Sequence, residues 1–293
     1  PYSLRFRVPE HEVIAWDDLI RGRIEVSTDS IGDFIIMRPN GIPVYNFAVV
    51  VDDATMHITH ILRGEGHISN TPVQILLYRA LGFPVPAIGH VGHMTNPEHG
   101  KLSKRKGEGS IREFREQGYL PEAMINFMAL LGWTPPGAEE GQEILSVEEL
   151  IEKFDIKQLT KAPSVFDLNK LNWMNGVYIR KKSVEEFANL ALPFVTKAGL
   201  CTEEEARARW DWFRELMAQV QPRVSTLAEV PDHVVYFFRD EVEMDPKAEA
   251  KFLTDEVKPF FRAVRDDLRT VDWNVEAIEK MIRGHMETMG LKP

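Results

Sequence analysis

Residues 100–107, with the sequence GKLSKRKG, have the composition of a phosphate-binding loop. Lysine or arginine occupies four of the six positions from 101 to 106, and a glycine stands at each end. Glycines permit the backbone angles of a tight loop, and clustered cations stabilise the charge that develops on a polyphosphate during transfer. The alternative is a solvated basic turn or a localisation patch. The apolar Leu102 within the run and a predicted strand upstream favour the phosphate-binding loop.

Arg63 is the second candidate for chemistry, because it follows the apolar run at residues 58–62. Ligands in open α/β sheets gather at the carboxyl ends of strands, and a guanidinium there suits a bidentate carboxylate. The alternative is an internal ion pair with Glu65, Asp52 or Asp53. The residues alone leave these two interpretations even.

Short runs rich in β-branched residues predict the strands that would position these groups. Thr71 and Pro72 predict the cap and first turn of a helix that Gly82 ends, and residues 87–91 predict a further strand. Strand, helix and strand at this spacing indicate a parallel α/β unit. Asn40-Gly41 predicts a tight turn. The earlier predicted strands are residues 4–8, 23–26, 34–37, 47–51 and 58–62.

After residue 110 the pattern is helical almost throughout. Three capping-box spacings start helices, and Gly176 is expected to end the helical segment at residues 166–176. A Pro- and Gly-rich linker is expected at residues 134–142. The capping pairs are Ser146 with Glu149, Ser183 with Glu186, and Thr202 with Glu205, and the later helices are expected at residues 202–220, 246–268 and 274–289.

The composition is that of an ordinary globular protein. The chain has 293 residues, of which 44% are hydrophobic and 27% charged, enough for two or more domains. One cysteine excludes a disulfide framework and a Cys-rich zinc site, which favours a reducing, cytoplasmic compartment. No apolar run is long enough to cross a bilayer. The net charge of −10 argues weakly against a nucleic-acid partner.

Several motifs together resemble one family. KLSKR at residues 101–105 is similar to the KMSKS signature of class I aminoacyl-tRNA synthetases, in the form typical of glutamyl enzymes. YNFAVVVDD at 45–53 and ITHILRGE at 58–65 look like the glutamate-binding region, and the match continues through 64–82. Residues 166–178 resemble the segment that contacts the transfer RNA stem. The resemblance to bacterial-type glutamyl-tRNA synthetases covers nearly the whole chain in order.

The resemblance implies an α/β Rossmann-like catalytic remainder followed by all-α stem-contact and helical anticodon-binding domains. Residues 1–110 would be the C-terminal part of the catalytic domain with the tail of its acceptor-binding insertion. Residues 111–181 would be the stem-contact domain, and residues 182–293 an incomplete anticodon-binding domain. The implied reaction is ATP-dependent ligation of L-glutamate to tRNA(Glu) through glutamyl-adenylate, and the protein is expected to be a monomer.

The resemblance also implies roles for residues of the catalytic domain. Lys104, which matches the second lysine of the signature, would stabilise the triphosphate, and Lys101, Ser103 and Arg105 would shape its loop. Met94 would offer backbone to the adenine of ATP. Magnesium is implied with ATP, held largely by phosphates and water.

Three further residues take implied roles in recognition. Tyr45 and Arg63 would hold the side-chain carboxylate of glutamate. Arg223, in a Pro-Arg pair that follows a predicted helix, would sense the third anticodon base; the alternative is a surface pair with Glu229 or Asp232.

Some positions depart from the family pattern. Gly66, assigned to ATP binding, stands where an acidic residue is usual, and Ala54 stands where histidine is common. HVGH at residues 90–93 fits the letters of the HIGH motif, but we interpret it as coincidence because no long helix can start there. For His67, at a position where the family commonly has histidine, we favour a structural role.

The first catalytic motif of the family is missing, so we expect the 293-residue chain to be truncated and inactive alone. Two other functions stay open. A glutaminyl enzyme shares the catalytic half, but its bacterial members carry β-barrels where residues 183–289 are helical in pattern. A non-catalytic tRNA-binding module derived from a synthetase is the other alternative.

Overall fold

The computed structural model describes residues 2–95, 110–136, 143–239, 241, 244 and 246–291. The chain divides into two compact units, Pro1–Val234 and Val235–Pro293. The predicted division into three domains has different boundaries and stays a prediction.

Antiparallel pairs open the first unit. Strand β1 (Leu4–Phe6) pairs with β4 (Phe34–Met37), and between them lies a hairpin of β2 (Val13–Asp18) and β3 (Gly22–Ser27). The sequence predicted β1, β3 and β4 to within two residues but missed β2. A chain turn follows β4, where Gly41 has a φ of 79°, as Asn40-Gly41 predicted, although the turn leads into a helix and not a strand.

A parallel α/β unit comes next, as predicted. Strand β5 (His60–Gly64) pairs in parallel with β6 (Ala87–Val91), and helix α2 (Thr71–Ala80) connects them. Gly82, with a φ of 71°, follows the helix. The register places His60 opposite Ala87 and Gly64 opposite Val91.

The predicted strand at residues 47–51 is wrong, because these residues lie within helix α1 (Tyr45–Thr55). Val50 is fully buried, and Phe47 and Ala54, three residues before it and four after, pack in the same cluster. That is the spacing of one helix face. A short apolar run cannot be assigned to strand or helix by periodicity alone.

Thr71 is not the cap of α2. Asn70 holds the cap position without a side-chain hydrogen bond, and Thr71 is the first helical residue. Its side chain is buried, and its hydroxyl accepts a hydrogen bond in the cluster around Arg63 that is described below. Pro72 lies in the first turn of the helix, as predicted.

The rest of the first unit is helical. All three predicted capping boxes are confirmed, and Ser110 with Glu113 forms a fourth that the sequence analysis missed. The helices are α3 (Ile111–Glu116), α4 (Pro121–Ala129), α5 (Val147–Lys153), α6 (Leu168–Lys181), α7 (Val184–Lys197), α8 (Glu203–Ala208), α9 (Trp210–Val220) and α10 (Val230–Val234).

Two predicted helix boundaries in this unit are wrong. Gly176 lies inside α6, which continues to Lys181. Leu171, Met174 and Ile179 on the same helix are fully buried, and such tertiary packing overrides the weak helix propensity of glycine. The helix expected at 202–220 is interrupted at Arg209, whose backbone leaves the helical region.

A short parallel pair joins the chain after β6 to the segment before α6. It consists of β7 (Met94–Thr95) and β8 (Ser164–Val165). Close to this pair, a Cβ atom built on Gly92 would lie 2.2 Å from the carbonyl oxygen of Ala162. The backbones of the two segments are therefore in direct contact at Gly92.

The second unit contains helices α11 (Pro246–Phe252), α12 (Lys258–Asp267) and α13 (Val275–Thr288). The single helix predicted at 246–268 is therefore two helices. Pro259 lies in the first turn of α12. Proline favours the first turn, whereas in a helix interior it removes a backbone hydrogen bond and breaks or kinks the helix. Helix α13 matches its prediction to within a residue. Among the helices that the structure describes, none combines the length and apolarity that spanning a bilayer requires.

Candidate functional site

Arg63 lies near the carboxyl end of β5, directly opposite His90 on the parallel strand β6. An apolar cluster that includes Ile14, Ile75 and Ile88 packs beneath these strands. The guanidinium is partly buried and emerges at the strand end, as the sequence predicted.

Two neutral groups hold the Arg63 guanidinium. Its Nη2 donates to Thr71 Oγ1 at 2.7 Å, and its Nε donates to His90 Nε2 at 3.3 Å. Within the described part of the chain Arg63 has no ion pair.

Two of the acidic residues considered as partners of Arg63 are engaged elsewhere. Glu65 pairs with Arg21, and Asp53 accepts from the Tyr78 hydroxyl at 3.5 Å. Burial, together with the nearby Asp53 carboxylate, raises the pKa of Tyr78 to about 12. The positive charge of Arg63 is therefore left without a contacting carboxylate among the described residues.

Tyr45 and Arg63 lie close together, and their predicted role in holding a carboxylate stays a prediction. Burial lowers the pKa of the Arg63 guanidinium, while charge interaction and hydrogen bonding with the Tyr45 phenol and the charge of Asp53 oppose that shift. Tyr45 is the first residue of α1 and is 54% exposed, so its ring is not a packed core aromatic. The His67 ring lies 6.0 Å from it.

Behind Arg63 lies a fully buried carboxylate–imidazole pair that the sequence analysis missed. Asp18 Oδ2 lies 2.5 Å from His90 Nδ1, and Asp18 Oδ1 accepts from the backbone N–H groups of Ile20, Arg21 and His90. Burial would raise the pKa of Asp18, but these hydrogen bonds outweigh it and the pKa is lowered. Burial lowers the pKa of His90 more than Asp18 raises it. Asp18 is therefore charged and His90 neutral.

His90 is in a strand, and within the described residues no long helix starts there. The interpretation of HVGH as a coincidental match is consistent with this placement. The signals for the buried pair were an aspartate that ends a short apolar run and a histidine inside an apolar strand. Neither signal is specific, and the two residues are 72 positions apart.

Gly66 and Met94, assigned to ATP, lie on neighbouring segments. Gly66 is in a 3₁₀ helix, Glu65–Asn70, and a Cβ there would be 3.4 Å from the ring of His93, so a side chain has room. Met94, the first residue of β7, is 49% exposed. His67 contacts the Asn70 amide at 3.2 Å, which fits the structural role favoured for it.

The predicted signature loop lies outside the described residues. The roles predicted for Lys101, Ser103, Lys104 and Arg105 therefore stay predictions, as does part of the linker expected at 134–142. No group of three or more side chains that could hold a metal ion occurs in the described ranges.

Arg223 lies on a separate element, the 3₁₀ turn Gln221–Arg223 that follows α9. Its side chain is exposed, and no ion pair of Arg223 occurs within the ranges that the structure describes. Glu229, one alternative partner, instead accepts from the Ser225 backbone at 2.8 Å and the Thr226 hydroxyl at 3.2 Å.

Hydrogen bonds fix the turn that carries Arg223 to helix α6 and the residue after it. The buried Gln221 amide donates to the carbonyl oxygens of Ile179 and Lys182, both at 2.8 Å. Asn175 donates to the carbonyl oxygen of Ser225 at 2.6 Å. The backbone on both sides of Arg223 is thus fixed to helix α6 and the residue after it.

Comparison with known proteins identifies the family. Residues 1–173 match the family described as "tRNA synthetases class I (E and Q), catalytic domain", and residues 186–293 match an anticodon binding domain. The chain therefore belongs to the class I tRNA synthetases of the E and Q group, as the resemblance predicted.

Its relatives narrow the comparison to one kind of enzyme. The chain is 73% identical to a glutamate–tRNA ligase of Symbiobacterium thermophilum over 99% of its own length and 60% of the relative's. It is 44% identical to that of Aquifex aeolicus, over 97% and 59%. A crystal structure of a glutamate tRNA ligase from Elizabethkingia meningosepticum, in complex with its amino acid, aligns with a TM-score of 0.79 at 29% identity, covering 100% of this chain and 60% of that one. The chain thus spans about 60% of the length of these curated relatives.

Proposed function

We propose that the protein ligates L-glutamate to tRNA(Glu), using ATP to form glutamyl-adenylate and releasing AMP and pyrophosphate. The observation that carries the proposal is Arg63, a partly buried guanidinium held by neutral groups. The names of the relatives, which are glutamate–tRNA ligases, support the same substrate.

The hydrogen bonding of Arg63 leaves room for a carboxylate. A guanidinium has five N–H donors. Thr71 and His90 take two and the Tyr45 phenol engages a third, so two remain. A carboxylate accepts two parallel N–H bonds from such a fork, and Tyr45 is close enough to donate a further bond. Glutamine would offer a neutral amide to the same cation, which favours glutamate as the ligand.

The ATP side of the reaction rests on family roles. Lys104 would stabilise the triphosphate and its charge in the transition state, with Lys101, Ser103 and Arg105 shaping the loop. Met94 would offer backbone to adenine, and the segment of Gly66 would lie beside the nucleotide. Magnesium would arrive with ATP and take phosphate and water ligands.

The helical part would bind the transfer RNA. Residues 111–181 would contact the stem and residues 182–293 the anticodon arm, where Arg223 would read a base. We propose a monomer acting in the cytoplasm.

The test replaces Arg63 in the full-length gene product. Arg63→Gln keeps a polar side chain of similar reach but removes the charge, and should raise the KM for glutamate in tRNA charging at least about 100-fold, because hydrogen bonds to charged groups contribute about 1.5–3 kcal/mol each. The matched control is Arg23→Gln, because Arg23 is an exposed arginine that pairs with Asp17 and Glu25.

Three results would contradict the proposal. An unchanged glutamate KM in Arg63→Gln would remove its central residue. Charging of glutamine in preference to glutamate would favour a glutaminyl enzyme. A wild type that binds tRNA(Glu) but forms no aminoacyl ester would favour the non-catalytic module.

A further inference from the structure

The function proposed above gives no role to the buried Asp18, yet Asp18 forms a pair with His90, which holds Arg63. Both side chains are fully inaccessible to solvent, and a buried charge is retained only where hydrogen bonds stabilise it. Asp18 ends β2, and His90 lies in β6 opposite Arg63. The pair therefore connects the β2–β3 hairpin to the residue at the strand end.

The proton positions in this cluster follow from the donors. Arg63 Nε can only donate, so His90 Nε2, 3.3 Å away, must accept. A neutral imidazole that accepts at Nε2 carries its proton on Nδ1. That proton is donated to Asp18 Oδ2 at 2.5 Å. Asp18 thus selects the one histidine tautomer that can accept from Arg63.

The same arrangement fixes the plane of the guanidinium. Thr71 Oγ1 accepts from Arg63 Nη2. It lies 3.2 Å from the carbonyl oxygen of His67 and 3.1 Å from His90 Nε2, and the hydroxyl can donate to either. With Nε and Nη2 both engaged, a guanidinium can rotate little about its terminal bonds. The remaining N–H groups then keep one direction before any ligand arrives, which lowers the entropic cost of binding.

We propose that Asp18, acting through the tautomer of His90, is a positioning residue that orients Arg63 for the substrate carboxylate. The inference rests on the proposed function in naming glutamate as the ligand. Asp18 and His90 do not touch the substrate, so the effect should appear in glutamate binding and not in the phosphate chemistry.

Asp18→Asn in the full-length gene product tests this most directly. The amide oxygen can keep the three backbone hydrogen bonds of Oδ1, which turns the amide N–H₂ toward His90 Nδ1. Nδ1 must then accept, so the proton moves to Nε2, where it confronts the N–H of Arg63 and competes with Arg63 Nη2 for Thr71 Oγ1, which lies 3.1 Å from Nε2. Trp16 Nε1, 3.4 Å from Oδ2, would lose its acceptor as well.

Asp17→Asn is the matched control. Asp17 is the neighbouring residue of β2 and loses the same charge, but it is exposed and contacts Arg23 at 3.3 Å. Two readouts are compared: the ¹⁵N shifts of His90, which distinguish the two tautomers, and the KM and kcat of tRNA charging. The signals of His90 are assigned by their loss in His90→Gln.

We expect Asp18→Asn to move the His90 proton from Nδ1 to Nε2 and to raise the KM for glutamate about 10- to 100-fold, the scale of displacing a binding group by about 1 Å. The KM for ATP and the kcat should stay within about twofold, because a contact made equally in ground and transition states changes KM alone. Asp17→Asn should match the wild type in both readouts.

A second pair of variants separates positioning from folding. In His90→Gln the amide oxygen takes the place of Nε2 and can accept from Arg63. The shorter side chain in His90→Asn does not reach that far. If Asp18→Asn unfolds the protein, His90→Gln should still bind glutamate more tightly than His90→Asn by about tenfold.

The outcomes are distinguishable. A tautomer unchanged in Asp18→Asn, a tautomer shift without a change in glutamate KM, or equal binding by His90→Gln and His90→Asn would overturn the inference. A wild type whose ester formation does not depend on glutamate would overturn the proposed function instead, and with it the ligand named here.

Discussion

Arg63 and Arg223 are both arginines without an ion pair within the described residues, and the structure holds them in different ways. Side chains hold the guanidinium of Arg63 itself, through Thr71 and His90. For Arg223 it is the backbone that is held, through Gln221, while the side chain is exposed. A guanidinium fixed in advance suits a small carboxylate of constant shape. An arginine on a fixed turn can adjust its side chain, which suits an unpaired base.

The largest expected effect concerns the anchor of the Arg223 turn. Gln221→Leu removes two N–H donors; the carbonyl oxygen of Ile179 keeps the backbone N–H of Lys182, but that of Lys182 loses its bond to Gln221. The free energy of unfolding should therefore fall by about 2–3 kcal/mol. Amide hydrogen exchange at residues 179–186 should also accelerate. Gln219→Leu is the control, because Gln219 is exposed on α9. Equal stability of the two variants would mean that the turn is not anchored through Gln221.

The next effect concerns what Arg223 reads. Arg223→Gln should reduce the preference for tRNA(Glu) over tRNA(Gln) by about 1–3 kcal/mol, the scale of one good base contact. The measurement is kcat/KM with each transfer RNA. Arg214→Gln serves as control, since Arg214 is an arginine of α9 paired with Asp211. A proportional loss with both transfer RNAs would make Arg223 a phosphate contact or a structural residue.

A smaller effect tests whether Arg63 is fixed by its side-chain partners. Thr71→Val keeps the shape of the buried side chain but removes the acceptor for Nη2, so the KM for glutamate should rise about tenfold, or about 1.4 kcal/mol. The control Thr55→Val removes a hydroxyl that bonds only to carbonyl groups of its own helix. If the KM is the same in both, Thr71 does not orient Arg63.

The smallest effect is on the pH dependence of stability. Burial lowers the pKa of His90 below its ordinary 6.5, so as pH falls below about 6.5 the unfolded chain takes up a proton that the folded chain does not. The free energy of unfolding therefore falls as the pH falls below about 6.5. The pKa of Asp18 is also lowered, from 3.8, so protonation of Asp18 reduces the free energy of unfolding only below about pH 3.8.

The fall in unfolding free energy between pH 7.5 and pH 5.5 should be smaller in His90→Gln than in the wild type, by on the order of 1 kcal/mol. Urea unfolding at the two pH values measures it. An identical fall in both proteins would show that His90 has no such role in the folded state.

Local patterns predicted the parts of the fold that depend on neighbours in sequence. The capping boxes at Ser146, Ser183 and Thr202 and the β5–α2–β6 unit are of this kind. The strand predicted at residues 47–51 was wrong because an apolar run of five fits a strand or a helix. The helix end predicted at Gly176 was wrong because tertiary packing decides whether a helix continues through a glycine.

For the site, the sequence placed Arg63 at a strand end and, through the family resemblance, Tyr45 beside it. It could not pair Asp18 with His90, because only the packing of the end of β2 against β6, where Leu19 donates to the carbonyl oxygen of Ile88, brings them together. Thr71 was misassigned for a related reason. A threonine before a proline predicts a cap, and nothing local shows that its hydroxyl is needed by Arg63.

Gly92 limits which sequences this fold can accept. Its φ is not positive, so backbone angle does not demand glycine there; the nearby carbonyl of Ala162 does, because it leaves no volume for even one methyl group. A selection for folded variants should therefore reject alanine at position 92 while accepting it at Gly284, inside α13, where nothing lies within 4 Å of an added Cβ. Mutational tolerance at glycines would then map where two segments touch through bare backbone.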